Sequence, residues 1–180
     1  MNNHWHAQTV YAGRLFQVQV LSGIDEAGRE LRKEVVRHPG AVLVIPVLGE
    51  QTVVMIRNVR VAVGESLWEF PAGKLEPGEK PELAAGRELE EETGYRCGRL
   101  RKIAEFYTSP GFTNELMHTF VAEDLEFVGQ RLEPGEEIAV EKVELRNALA
   151  MVHDGRLRDG KSIAGLLMWQ DLLARTGAMA

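Results

Sequence analysis

The chain has 180 residues, 44% hydrophobic and 27% charged, with a formal net charge of −6. That length suits a single domain over residues 1–180, with an N-terminal hairpin over about 9–37 and a core over about 38–175, and the composition excludes disorder. An acidic chain without a Lys/Arg block is not built to hold nucleic acid by its phosphates, no apolar run is long enough to span a bilayer, and the single cysteine, Cys97, fits a reducing, cytoplasmic setting.

Strand signals come first. The opening MNNHWHAQTV has no apolar core of the secretory kind. Residues 9–21 contain the alternating Phe16, Val18 and Val20, an Ala-Gly turn lies within 24–30, and 31–37 reads as the returning strand. The result is an antiparallel hairpin with one partly polar face, suited to solvent or to a second subunit. His38-Pro39-Gly40 breaks the chain, residues 41–48 are a nearly continuous apolar run expected as a buried strand, and 51–57 returns after Gly49-Glu50. Residues 59–67 are expected as a strand end and loop, and 67–70 as a short strand before Pro71-Ala72-Gly73.

A helix is predicted from Pro81, which suits the first helical position, with the poor capping residue Lys80 before it and Gly94 as its stop. Strands over 99–107 and 116–122 flank Ser109-Pro110-Gly111, Phe127 closes a strand end, 129–137 is a loop and 138–145 a last strand. Residues 147–153 and 162–175 read as helices. Strands first, one helix in the middle and helices at the end predict an α+β layered sandwich.

The middle helix carries the chemistry. Glu88, Glu90, Glu91 and Glu92 crowd its second half, and Glu88 and Glu92 are a destabilising i,i+4 pair. Glu88, Glu91 and Glu92 share roughly 100° of arc. Ala85, Gly86, Leu89 and Thr93 form an adjoining side that can face a core. Carboxylates gathered in this way suit a bound cation, and all-oxygen ligands favour Mg²⁺ or Mn²⁺. The bland alternative is a solvated acidic face. A metal here needs an anion to act on, and phosphate is the natural one. The chain has no G-x-S-x-G elbow and no P-loop, so hydrolysis by activated water is the economical expectation.

The spacing is more specific than the charge. Gly73, five residues, Glu79, seven residues and then Arg87-Glu88-Leu89-Glu90-Glu91-Glu92-Thr93-Gly94-Tyr95 resembles the Nudix box, G-x5-E-x7-R-E-U-x-E-E-x-G-U with U aliphatic. Tyr95 is the one departure. The resemblance implies an α/β/α sandwich with a mixed sheet. It implies Glu88 and Glu92 as main metal ligands, Glu91 joining them or orienting the water, and the backbone carbonyl of Ala72 completing the site. It also implies a structural Arg87–Glu79 pair, with Gly73 and Gly94 as framework glycines.

Stretches outside the box resemble the ADP-ribose pyrophosphatase branch of that family. They are EVVRHPGAV over 34–42, Trp68-Glu69-Phe70-Pro71-Ala72-Gly73, Pro110 sixteen residues after Gly94, and DGKSIAGLL over 159–167. This implies Mg²⁺-dependent cleavage of ADP-ribose to AMP and ribose 5-phosphate by a homodimer whose N-terminal hairpin crosses between subunits. Arg60 is the first candidate to grip the diphosphate, Arg37 the second, Pro110 marks the substrate, and Glu115 is a further candidate for substrate or metal. In the loop Glu133-Pro134-Gly135-Glu136-Glu137, Glu136 is the first choice for a base swung over the metal, with Glu133 and Glu137 as alternatives. Trp5, Phe16 and Phe112 are candidate adenine-stacking groups, core packing being the other role for Phe16. The rival readings are hydrolysis of a GDP- or UDP-sugar and a non-catalytic nucleotide sensor.

Overall fold

A computed structural model describes residues 5–176 and divides them between two sheets and three helices. The first sheet is antiparallel, with β1 (His6–Ala12), β2 (Gln17–Ile24) and β3 (Glu30–Arg37) in that order. The expected hairpin is β2–β3, and β1 adds a strand that the pattern did not show. The stretch over 9–21 is divided at a turn, where the Gly13 N–H donates to the Phe16 carbonyl at 2.9 Å. Every residue of β1 is exposed. Burial therefore imposes no alternation on its sequence, which is why it carries no strand signal. Phe16 is not in the core; it sits at the surface, tilted against Tyr11 with ring centroids 5.9 Å apart.

The second sheet contains β4 (Ala41–Leu48), β5 (Thr52–Arg60), β6 (Glu65–Glu69), β7 (Ala72–Lys74), β8 (Tyr95–Tyr107), β9 (Leu116–Phe127) and β10 (Ile138–Glu144). Its order is β10-β5-β4-β9-β8, with β6 on β5 and β7 on β4. The β4–β9 pair is parallel and the others are antiparallel, so the sheet is mixed. The helices are α1 (Pro81–Thr93), α2 (Leu145–His153) and α3 (Gly160–Thr176).

Strand β4 is apolar throughout because both its faces are covered. Val42 and Val44 pack with Ala84, Ala85 and Leu89 of α1, whereas Leu43, Ile45 and Val47 pack with Leu145, Met151, Leu166 and Trp169 of α2 and α3. The period of two sends alternate residues to opposite helix layers, which makes the α/β/α sandwich. Helix α3 comes so close that a Cβ on Gly165 would lie 2.5 Å from Leu43 Cδ2.

Several boundaries differ from the pattern. Strand β8 starts at Tyr95, directly after the helix stop, and the supposed loop over 59–67 shrinks because β5 runs to Arg60 and β6 starts at Glu65. Helix α2 begins at Leu145 and α3 at Gly160. The short edge strand β7 was not anticipated; it exists only through pairing with Ala41, Val42 and Leu43 of β4. The loop after β8 joins the two sheets. The Val36 N–H donates to the Phe112 carbonyl at 2.7 Å, and the His38 N–H donates to Asn114 Oδ1 at 2.9 Å.

Candidate active site

Helix α1 starts at Pro81, with no side-chain cap from Lys80, and stops at Gly94 in the left-handed region, φ 74°. A side chain at Gly94 is barred twice, by that φ and because a Cβ would lie 2.7 Å from the Gln130 nitrogen. Tyr95 fills the expected aliphatic slot, buried among Ala84, Leu89 and Phe120.

With Ala84, Ala85 and Leu89 turned to β4, Glu88 and Glu92 of α1 point at β7. Glu92 is only 4% exposed, and its Oε2 accepts the Ala72 N–H at 2.9 Å. Glu88 lies against Gly73: a Cβ there would sit 2.0 Å from the carboxylate carbon. The first box glycine is therefore required by contact rather than by its φ. Gly73→Ala is expected to displace Glu88 and to lower kcat roughly a hundredfold, with the melting temperature nearly kept. Steady-state assay beside thermal unfolding checks it; a loss of activity matched by a loss of fold would overturn it.

Arg87 ties the acidic cluster together. Its Nε and Nη2 each reach Glu79 at 3.1 Å, and Nη1 reaches Glu88 at 2.7 Å and Glu91 at 3.1 Å. Nη2 also meets the Lys74 carbonyl at 3.3 Å, so the loop from β7 is clamped to the helix. The Glu79 hydrogen bonds raise the Arg87 pKa, and Glu88 and Glu91 add to this. Glu90 faces elsewhere, pairing with Arg96 at 3.0 Å and with Arg131.

Burial pushes the Glu92 carboxyl up to about 8; the Ala72 N–H opposes this, and the Glu88 and Glu136 carboxylates add to it. Burial raises Glu88 as well, against Arg87. A buried and a partly buried carboxyl lifted toward neutrality are what a divalent cation reverses. The donors are all oxygen, which fits Mg²⁺ or Mn²⁺. Among the described residues no three such side chains already converge as a metal cage. Arg87 Nη1 lies between Glu88 and Glu91 instead, so holding an ion requires those two to turn from the guanidinium.

Glu136 sits on a turn of its own, where its carboxylate accepts the Glu133 N–H at 2.8 Å and its N–H donates to the Glu133 carbonyl at 3.1 Å. Of the loop glutamates, it is Glu136 whose charge raises Glu88 and Glu92. Glu137 is engaged through its backbone, its carbonyl accepting the Val59 N–H at 3.4 Å.

Beside β7 opens a cavity of about 680 Å³, bordered by Arg60, Ala72, Gly73, Glu115, Asp159 and Lys161. That volume suits a nucleotide-sized ligand. A cavity of about 700 Å³ also lies between the β4–β5 turn and Trp169, but no box residue borders it. Glu115 accepts the Thr108 hydroxyl at 2.6 Å and lies 3.7 Å from His38 Nδ1. Arg60 forks onto Glu69, Nε and Nη2 each at 2.7 Å. Arg37 and Pro110 are placed apart from the cavity. Arg37 Nε donates to Gln19 on the first sheet at 2.9 Å, and Pro110 is exposed on the joining loop, as is Phe112. Trp5 lies over Gly23 of β2.

Sequence reasoning missed what lies behind Arg60: a buried Glu69 that also meets Lys161 at 2.6 Å. The signal was present in two stretches already singled out, Trp68 to Gly73 and Asp159 to Leu167, which the fold brings side by side. Gln130 was missed too; its Nε2 donates to the Glu92 carbonyl at 2.7 Å and braces the helix end.

A mixed α/β/α sandwich with this acidic helix beside a cavity defines a class of divalent-metal-dependent hydrolases. The NUDIX domain model matches residues 37–166, and the chain belongs to the Nudix family. It is 40% identical over 157 residues to an ADP-ribose pyrophosphatase of Bacillus subtilis (strain 168), covering 86% of this chain and 85% of the relative. It is 39% identical to a methanol dehydrogenase activator of Bacillus methanolicus, with 87% and 85% covered. It is 40% identical to a GDP-mannose pyrophosphatase of Citrobacter koseri, with 75% of each covered. A crystal structure of an ADP compounds hydrolase shares the fold, with a TM-score of 0.87, 22% identity and 99% and 98% of the two chains covered.

Proposed function

We infer that this Nudix hydrolase splits the diphosphate of ADP-ribose into AMP and ribose 5-phosphate by attack of water on phosphorus. The observation that carries this reading is the buried Glu92, held by the Ala72 N–H beside Glu88 and Gly73 at the edge of a nucleotide-sized cavity. The identity to an ADP-ribose pyrophosphatase over most of the chain supports the substrate. A GDP-sugar is the second reading, favoured by the identity to a GDP-mannose pyrophosphatase.

Glu88, Glu91, Glu92 and the Ala72 carbonyl would hold Mg²⁺ or Mn²⁺. Such an ion neutralises diphosphate oxygens and acidifies a water. Glu136 takes the proton from the attacking water, for which its place on a loop turn and the reach of its charge to Glu88 and Glu92 are the support. Arg60 and Glu115 bind substrate from the cavity wall; Arg37 on the first sheet and Pro110 on the loop after β8 are the more distant substrate contacts and would have to reach the ligand from outside that wall. Gly73, Glu79, Arg87 and Gly94 keep the loop and helix in place. The whole chain acts as one hydrolase unit in the cytoplasm, as its single cysteine suggests. It works as a homodimer; the support is the exposed apolar surface of the first sheet, with Val10, Tyr11, Leu15 and Ile24 each at least half uncovered.

The test is hydrolysis of ADP-ribose, GDP-mannose and UDP-glucose with Mg²⁺ and with EDTA, for wild type and Glu136→Gln. ADP-ribose is expected to turn over fastest, and only with metal. Glu136→Gln is expected to lose roughly a hundredfold to a thousandfold in kcat with KM nearly unchanged. Preference for GDP-mannose moves the reading to a GDP-sugar, and binding without turnover moves it to a sensor. Wild-type kcat in the variant removes Glu136 as the base.

A further inference from the structure

Glu69, the last residue of β6, is 1% exposed. Burying a carboxylate is costly unless it is paired, and a well-packed apolar residue would hold the fold as well. Yet two separate pieces of chain converge on it. Arg60, at the end of β5, forks onto both oxygens at 2.7 Å, and Lys161, in the first turn of α3, reaches Oε2 at 2.6 Å. Lys161 also meets Asp159 at 2.8 Å, whose second oxygen accepts the Ser162 N–H at 3.0 Å. The Ser162 hydroxyl in turn accepts the Phe70 N–H at 2.8 Å, locking β6 to α3.

Both cations border the same cavity as Ala72 and Gly73. A guanidinium offers five N–H donors and an ammonium three. Glu69 and Asp159 take only some of them, so both Arg60 and Lys161 keep donors for a ligand. The two carboxylates balance the two cations, and the group does not draw an anion by net charge. What it offers is donors in fixed places. Asp159, and Glu115 across the cavity, supply acceptors of the kind sugar hydroxyls need.

We propose that Glu69 is a positioning residue that sets Arg60 and Lys161 as a fixed pair of donors for the sugar-bearing phosphate of the substrate, with Lys161 itself a substrate contact. This rests on the diphosphate-hydrolase reading of the adjoining glutamates.

The sign of one substitution separates positioning from charge. Glu69→Gln keeps the shape and removes a negative charge, so charge alone lowers KM for an anionic substrate. Positioning raises it, because a neutral amide no longer forks Arg60 or holds Lys161. The expected result is a KM at least about tenfold higher with kcat within about threefold, and Mn²⁺ binding unchanged. Lys161→Met leaves the Glu69–Arg60 fork intact and is expected to raise KM about tenfold; it decides the matter if the Gln variant does not fold. KM unchanged or lowered in the folded variants overturns the proposal. Wild-type turnover is measured alongside. If no nucleoside diphosphate sugar is split, the hydrolase reading falls on its own. Calorimetric binding of inorganic diphosphate to wild type and Lys161→Met then decides the donor pair, equal affinity overturning it.

Discussion

Glu92→Gln is expected to abolish turnover, by at least about a thousandfold, while making the metal-free protein more stable at alkaline pH. The first effect follows from removing one of the three clustered charges that would hold a divalent cation against Ala72. The second follows from burial. The Glu92 carboxyl is raised from its ordinary 4.5 to about 8, chiefly because it is out of water. The folded state therefore binds this proton more tightly than the unfolded chain does. The stability it contributes is complete below about pH 4.5 and is lost as pH rises toward about 8. Glutamine carries no charge at any pH and escapes that loss, which is on the order of a few kcal/mol. Its amide leaves one donor to be satisfied, a partial offset. Thermal unfolding in EDTA at about pH 5 and about pH 9 checks the sign. Wild type should lose its melting temperature between the two and the variant should hold it. Saturating Mg²⁺ should restore wild type at the higher pH. A variant less stable than wild type in alkaline EDTA sinks the account.

Arg87→Met is the second large effect, and it acts on the fold first. The guanidinium makes paired contacts to Glu79 and single contacts to Glu88, Glu91 and the Lys74 carbonyl, with its side chain 26% exposed. Methionine fills the volume but leaves three carboxylates without their counter-charge, which costs roughly 2–4 kcal/mol. In a chain of this size the melting temperature is expected to fall by roughly 5–15 °C. Mg²⁺ should recover part of the loss, because an ion among Glu88 and Glu91 supplies the charge that Arg87 supplied. It should not recover the Glu79 part, which anchors the loop. Arg87→Lys is expected to fall between the two, since one ammonium cannot fork a carboxylate and reach two more. Melting curves of the three proteins with EDTA and with Mg²⁺ are the measurement, and equal destabilisation in both buffers would remove Arg87 from the metal cluster.

How much of this was legible varied with the distance along the chain between the partners. The acidic arc of α1, its start at Pro81 and its stop at Gly94 are local matters, set by helix geometry within a few residues. The same holds for β4, whose unbroken apolar run reports burial on both faces. Strand β1 is fully exposed and its sequence has nothing to report. Strand β7 is three residues long and exists only because β4 runs beside it. The sequence makes Arg60 the first candidate to grip the diphosphate with its guanidinium hand, and shows no partner for it. In the fold that hand is already held by Glu69, and only the remaining donors are available.

By itself the sequence determined which helix bears the carboxylates, where that helix starts and stops, and that β4 is buried, because each is a consequence of spacing or periodicity along a short stretch. Only the tertiary structure decided that Glu92 is buried against Ala72, that Gly73 has no room for a methyl group, and that Glu69 gathers Arg60 and Lys161. Those facts depend on which surfaces meet across the sheet, and a charge 92 residues away leaves no mark on the local pattern. Spacing sets the direction in which a side chain points; packing sets what it finds there.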